Sequence, residues 1–303
     1  FFSDVYNALE TNAAQEGYST LFMASHQDPN KELDRVSRLI ARDVDAIIIR
    51  SAKITAEVIE AAKNLKIVVR AGAGYDNVDL AAATARKIVV MNTPGQNSNA
   101  VAELAIGLMI FMARNKFTPG TGTEIHGKRL GIHAYGNVGK LVARYGKGFG
   151  MEVYAYDPFI TDKAVYEKDG VIPVGSVEEL YSKCDYVSVH IPATEQTKKS
   201  INYDLLSKMP KGATIVNTAR KEVIDEEGLA KVLAERTDLK YVTDIAADMQ
   251  VVLNEKFGNR VFATPKKMGA ETQEANVNAA LAAANQIVAF FTKGENRFQV
   301  NKW

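Results

Sequence analysis

The sequence predicts an α/β protein of two doubly wound parallel-sheet domains, and three observations carry that reading. Short β-branched runs alternate with helical stretches along the whole chain, the order that parallel strands with covering helices require. A central string, LGIHAYGNVGKLVARYGKGFGMEVYAYD, sets a strand, a glycine turn, a helix, a second strand and an acid in succession. That unit starts near residue 125, well inside the chain, and a long apolar helical stretch lies on each side of it. The architecture is therefore discontinuous, with one α/β domain inserted into another.

The elements follow in order. The first domain has helical stretches at Leu33 to Arg42, Ala56 to Lys63 and Leu80 to Ala85, and strands at Ala46 to Ile49, Ile67 to Val69 and Ile88 to Met91. An apolar helix then runs from about Asn99 to Arg114. The strands of the second domain are Leu130 to His133, Glu152 to Tyr156, Tyr186 to His190, Thr214 to Asn217, Tyr241 to Asp244 and Val261 to Ala263. Helices at Glu178 to Lys183, Tyr203 to Lys208 and Glu226 to Glu235 separate them, beside the one that opens at the glycine turn. A last apolar helix, about Thr272 to Thr292, returns to the first domain. Apolar helices of this length usually cross between domains or form a subunit interface, so a homodimer is expected. The expected limits are 1–96 with 281–303 for one domain and 97–280 for the other. Two hinge crossings imply a cleft between domains, where ligands usually sit.

Composition narrows the function. A length of 303 residues suits two domains with a core each. A net charge of +1 offers no electrostatic case for nucleic acid or an anionic membrane. The single cysteine, Cys184, excludes an internal disulfide framework and a Cys-rich zinc site, and no metal is expected. No run is long enough to span a bilayer and no signal peptide is visible, so a cytoplasmic location is the default expectation. The chain opens on Phe1 without a Met, so a first strand is expected to precede it.

The central string carries the sharpest chemistry. In Ala134-Tyr135-Gly136-Asn137-Val138-Gly139, Gly136 lets backbone approach a pyrophosphate, and the helix starting there aims free N–H groups at it. Gly139 lets that helix pack close to the strand. Asp157 lies eighteen residues after Gly139, where a carboxylate can take both hydroxyls of an adenosine ribose and would repel a 2′-phosphate. NAD is therefore expected over NADP. The first glycine of the usual GxGxxG pattern is Ala134 here.

Four further strings are RSAKITAEVI with VVRAGAGYDNVDL, VVMNTPGQNSNAVAELAIGLM, INYDLLSKMPKGATIVNTARKEVIDEEGLAKVL and VFATPKKMGAETQEA. With the glycine turn, and in collinear order from about Asp45 to Val288, the chain resembles the D-2-hydroxyacid dehydrogenase family, nearest to its short D-3-phosphoglycerate dehydrogenase branch. The resemblance implies a Rossmann-type cofactor domain inserted into a flavodoxin-like substrate domain, and hydride transfer from C2 of a D-2-hydroxy acid to NAD. It implies that Arg220 in NTAR holds the substrate carboxylate, which a planar guanidinium can grip through two parallel hydrogen bonds. It makes Arg50 and Ser51 a phosphate-binding pair, and Arg70, Ala71 and Gly72 a substrate loop, with Asn97 near the hinge. On the cofactor side it implies His190, Pro192 and Thr197 around adenine and a phosphate, and Thr218 and Ala219 beside the nicotinamide. Asp244 would accept from the carboxamide, with Gly269 and Ala270 supplying nearby backbone.

The chain departs from that pattern at the proton-transfer residue. The family's usual His stands in a TPHxGAST-like string, whereas this chain reads Thr264-Pro265-Lys266-Lys267-Met268-Gly269. Its four histidines, His26, His126, His133 and His190, all lie elsewhere. Counting back from Gly-Ala-Glu favours Lys267 and counting forward from Thr-Pro favours Lys266, with the longer ungapped count on the side of Lys267. Free lysine has a pKa of about 10.4. Arg220 and a nicotinamide cation would both disfavour ammonium, giving an alkaline optimum for oxidation. The family's orienting Glu is replaced by Met249, and Asp248 is the nearest acid and the candidate for the same role. The segment from Asn115 to Gly127 is shorter than the family's usual connection. Oxidation of 3-phospho-D-glycerate leads the expectations, because Arg50 and Arg70 suit a second anionic group. A hydroxypyruvate or glyoxylate reductase, and a non-catalytic NAD(H)-sensing protein similar to the corepressors built on this scaffold, are the alternatives.

Overall fold

The computed structural model describes residues 10–11, 13–21 and 29–303, so His26 and any strand before the first helix lie outside the described residues. The chain divides into two compact units, Phe1–Asn97 with Thr272–Trp303, and Ser98–Glu271. The return to the first unit thus falls at Thr272, nine residues before the expected limit of 281. The cause is local. The Thr272 hydroxyl caps the helix Gln273–Lys293 by accepting the Ala275 N–H at 3.1 Å, so the helix is one continuous element from that point.

The first unit holds a three-stranded parallel sheet of β1 (Ala46–Ile49), β2 (Ile67–Arg70) and β3 (Val89–Asn92), paired in that order. Ile47, Ile49, Val68 and Val90 point to one face and meet Val36, Ile40, Val58 and Ile59 from the helices Pro29–Ile40 and Ala56–Ala61. Ile67, Val69, Val89 and Met91 point to the other face and meet Ala279 and Ala283 of the helix Gln273–Lys293. Burial on both faces explains why these strands are continuous apolar runs with no polar alternation. The alanines of the long helix let its backbone lie close to the sheet. Helices on both faces match a doubly wound layer. Among the described residues the three strands contain no reversal of order, the feature a flavodoxin-like sheet adds.

The second unit holds seven parallel strands in the order β10-β9-β8-β7-β4-β5-β6. They are β4 (Arg129–His133), β5 (Glu152–Tyr156), β6 (Ile172–Pro173), β7 (Tyr186–Val189), β8 (Thr214–Asn217), β9 (Lys240–Thr243) and β10 (Val261–Ala263). Chain order reverses between β4 and β7, which pair directly through His133 and Val189. In such sheets ligands bind outside the carboxyl ends of the strands at this switch point. One face is filled by Val187, Val189, Ile215 and Tyr241 against helices Val177–Lys183 and Glu226–Glu235. The other is filled by Leu130, Ile132, Val216 and Val242 against helices Ser98–Ala113 and Asn137–Gly148. The apolar character of Ser98–Ala113, read from sequence as a domain crossing or subunit contact, is met by this burial within its own unit. The two-residue β6 and the helix Gln250–Phe257 had no sequence signal; the helix mixes exposed Val251 with buried Leu253 and carries no apolar stripe.

Candidate functional site

The carboxyl ends of β4 and β5 build the first half of the site. Ala134, the residue after β4, has φ +80°, a left-handed conformation that side chains disfavour. Its N–H is tied to the Tyr156 carbonyl at 2.9 Å. Its own carbonyl lies against the following helix, where a Cβ on Gly139 would meet it at 2.3 Å, so only glycine fits there. Gly136 caps the helix without a side-chain partner for the first N–H groups. A Cβ on Gly136 would touch nothing within 4 Å, so open space lies above the turn. Asp157 follows β5, with its carboxylate fixed by two backbone donors, Tyr135 N–H at 2.9 Å and Phe159 N–H at 3.0 Å. Each oxygen takes one of these bonds and keeps acceptor capacity for a ligand.

Two imidazoles lie below this turn. His133 is buried, with Nδ1 3.2 Å from the Tyr181 hydroxyl. His190 follows β7, and its Nε2 is buried without a partner among the described residues. Burial pushes His133 down to about 4, against an upward pull from Asp157. Burial also pushes His190 down to about 3, with His133 adding to the drop. Both rings are therefore neutral at physiological pH. An unfolded imidazole binds its proton near pH 6.5, so below that value the unfolded chain holds more protons than the native one. The stability these residues contribute is complete above about pH 6.5 and is lost as pH falls toward the native values. Each ring should add a slope of up to about 1.4 kcal/mol per pH unit in that window, and a His190→Gln variant should show a shallower fall in its urea midpoint between pH 6.5 and 4.5. An unchanged slope would show that His190 is protonated in the native protein. In the neighbouring loop, Thr197 accepts the Thr194 N–H at 2.7 Å and donates to the Pro192 carbonyl, so its hydroxyl closes the 192–197 turn.

The carboxyl ends of β8, β9 and β10 build the second half. Asn217 organises the loop after β8: its Nδ2 donates to the Arg220 carbonyl at 2.9 Å, and its Oδ1 accepts the Ala219 N–H at 3.0 Å. Thr243 reinforces this by donating to the Asn217 carbonyl at 2.7 Å. Arg220 Nη1 and Lys267 Nζ both donate to the Ala219 carbonyl, at 2.9 Å and 3.5 Å. That shared acceptor places Lys267 beside Arg220. The Lys266 carbonyl receives the Thr264 hydroxyl at 2.6 Å, and both lysine side chains are exposed. Asp244 is fully buried, and its Oδ2 accepts the Gly269 N–H at 2.7 Å. Burial raises the Asp244 carboxyl, while the Gly269 N–H and the charge of Lys267 oppose that rise.

Asp244 Oδ1, Thr218 Oγ1 and His190 Nε2 are buried atoms with no protein partner among the described residues. They sit just past β9, β8 and β7, three neighbouring strands. Buried polar groups are normally satisfied, so this row points to a ligand with complementary donors and acceptors. Asp248, the acid suggested as an orienter, is engaged elsewhere in this structure. Its carboxylate binds Lys221 Nζ at 2.5 Å on the exposed rim, and a neighbouring Glu226 takes the Asp248 and Met249 N–H groups. Asn217 and Thr243 hold the loop that carries Arg220, and sequence reasoning left both without a role, although Asn217 stood in the NTAR string.

The first unit carries its own cationic loop. Arg70 ends β2 and its Nε donates to the Arg50 carbonyl at 3.1 Å, so the two arginine positions are adjacent. Asn77 Nδ2 supports the same turn through the Ala52 carbonyl at 2.7 Å. Gly72 has φ +148°, and a Cβ there would lie 1.6 Å from Arg70 Nη1, so the guanidinium lies directly over this glycine. Ala71 N–H and the Gly72 carbonyl are held by Ile49 and Thr93. Ser51 and Asn97 stand on the turn after β1 and just before the helix Ser98–Ala113.

Residues 108–267 match the family described as D-isomer specific 2-hydroxyacid dehydrogenase, NAD binding domain. A hydroxypyruvate reductase of Thermotoga maritima is 38% identical across 84% of this chain and 87% of its own length. A D-3-phosphoglycerate dehydrogenase of Methanocaldococcus jannaschii is 37% identical across 81% of this chain and 49% of its own length, so the chain spans about half of that relative. The solved structure of a cofactor (NAD+)-bound 3-phosphoglycerate dehydrogenase of Entamoeba histolytica is similar with a TM-score of 0.87 and 46% identity, over 99% of this chain and 95% of that one.

Proposed function

Because the chain belongs to the D-isomer-specific 2-hydroxyacid dehydrogenase family and is an NAD-dependent enzyme, we propose that it oxidises 3-phospho-D-glycerate to 3-phosphohydroxypyruvate, the entry to serine biosynthesis. The observation that carries this reading is the convergence of Arg220 and Lys267 on one carbonyl, beside the buried Asp244.

The residues present fit NAD. The orphaned Asp244 Oδ1 suits an amide donor such as a carboxamide, the Gly136 turn leaves its N–H groups and the space above them to a pyrophosphate, and Asp157 keeps acceptor capacity for ribose hydroxyls. When bound, NAD supplies the hydride acceptor. Arg220 holds the substrate carboxylate in a bidentate grip and orients C2. Lys267, as the neutral amine, takes the C2 hydroxyl proton during oxidation, and as ammonium returns it during reduction. Arg50, Ser51 and Arg70 are the proposed holders of the second anionic group, with the Ala71-Gly72 backbone beside them.

Asp157 sets the choice of dinucleotide. Asp157→Ser should weaken NAD and narrow its advantage over NADP by at least about tenfold, since a carboxylate against a 2′-phosphate costs well over 1 kcal/mol. Steady-state kinetics with both dinucleotides check this, and an unaltered preference would remove Asp157 from the ribose.

A second reading, reduction of hydroxypyruvate, is favoured by the Thermotoga relative, of which this chain spans 87%. Incubation with NAD and a panel of D-2-hydroxy acids with and without a 3-phosphate, followed by absorbance of the reduced nicotinamide, separates the two. Preference for the phosphorylated acid is the expected result. Preference for D-glycerate would favour the second reading, and no turnover with any acid would leave an NAD(H)-sensing protein. We also propose a homodimer, to be checked by sedimentation.

A further inference from the structure

We propose that the Tyr135 side chain and Asp169 form a lock that holds the strained Ala134 turn in the conformation that binds NAD. Ala134 stands in a left-handed backbone where glycine is the unstrained residue, so the turn has an intrinsic tendency to relax. Its displacement would carry the next residue, Tyr135, whose N–H fixes the Asp157 carboxylate at 2.9 Å. It would also move the Gly136 cap and the free N–H groups behind it. Something must hold the turn in place.

The Tyr135 side chain is the group placed to do so. It is fully buried, and its hydroxyl donates to Asp169 Oδ2 at 2.8 Å. The ring lies 4.9 Å from that of Tyr166, centroid to centroid, and 5.8 Å from Lys140 Nζ. Asp169 is itself anchored, because Lys147 Nζ of the helix Asn137–Gly148 donates to its carbonyl at 2.6 Å. A closed circuit therefore runs from that helix through Asp169 and Tyr135 to Asp157 and back to the turn from which the helix starts. Tyr135 and Asp169 are positioning residues: the phenol and the Asp169 carboxylate act on the cofactor through the turn they hold.

Without the lock, a fraction of molecules would hold the turn in a relaxed, non-binding form, and apparent affinity falls by that fraction. The loss expected for one hydrogen bond is roughly three- to tenfold. Tyr135→Phe and Asp169→Ala should each weaken NADH binding by about that factor, read by nicotinamide fluorescence titration. Adding Ala134→Gly to either variant should restore much of the lost affinity, because glycine carries no steric penalty in the left-handed region. Melting temperatures report folding, and Asp169→Ala, on an exposed loop, carries the test if Tyr135→Phe does not fold. Wild-type affinity in both single variants would overturn the proposal, as would a loss that Ala134→Gly fails to repair. A purely structural loss would not be repaired by a change at Ala134. The experiment uses NADH alone and is independent of which acid the enzyme oxidises.

Discussion

Lys267→Ala should lower turnover by about 10²- to 10⁴-fold, the range expected when a general acid–base is removed. NADH binding should be unchanged, because Lys267 Nζ reaches the Ala219 carbonyl and the Asp244 carboxylate is held separately by the Gly269 N–H. Lys266→Ala should retain near-wild-type turnover, since it is the Lys267 amine that reaches the Ala219 carbonyl beside Arg220, while the Lys266 carbonyl is held by the Thr264 hydroxyl. The pair of variants separates two adjacent lysines that sequence counting left ambiguous. Equal losses in both would mean that the loop, and not one amine, matters. Wild-type turnover in both would remove lysine from the chemistry. A Lys267→Arg variant should fail almost as badly as Ala, because a guanidinium does not give up its proton at accessible pH.

Arg220→Gln should reduce kcat/KM by about two to three orders of magnitude, the loss of two charge-assisted hydrogen bonds to a carboxylate. Arg220→Lys should recover only a small part of that, since an ammonium offers a point charge without the planar fork. Both KM and kcat should suffer. The guanidinium binds the ground-state carboxylate, and it also fixes C2 in the geometry from which the proton and hydride leave. Initial rates over a range of hydroxy acid at saturating NAD check this. The loop itself should survive either change, because Asn217 holds it through the Arg220 carbonyl and the Ala219 N–H, not through the guanidinium. Loss of KM alone would demote Arg220 to an anchor, and no loss would place the substrate carboxylate elsewhere.

The strands were legible because parallel strands buried on both faces are near-continuous apolar runs, as in residues 67–69 and 89–91. The glycine turn was legible because Gly139 has no sterically allowed substitute against the Ala134 carbonyl. The two-residue β6 was not, since two residues carry no period. The partner of Asp248 was also hidden. Lys221 lies 27 positions away, and only the folding of two loops onto one rim brings them together. The Tyr135–Asp169 bond, spanning 34 positions, escaped for the same reason. The choice between Lys266 and Lys267 was not legible either, because it depends on which of two consecutive amines approaches Arg220; the Lys267 amine shares the Ala219 carbonyl with that guanidinium.

On the proposed mechanism, a primary amine at position 267 moves the proton of the C2 hydroxyl. The most direct test is chemical rescue: turnover of Lys267→Ala with 3-phospho-D-glycerate and NAD, measured with added ethylamine across a range of pH. Turnover should return and rise with the concentration of the unprotonated amine. Turnover that ignores ethylamine at every pH, in a variant that still binds NADH, would contradict that mechanism.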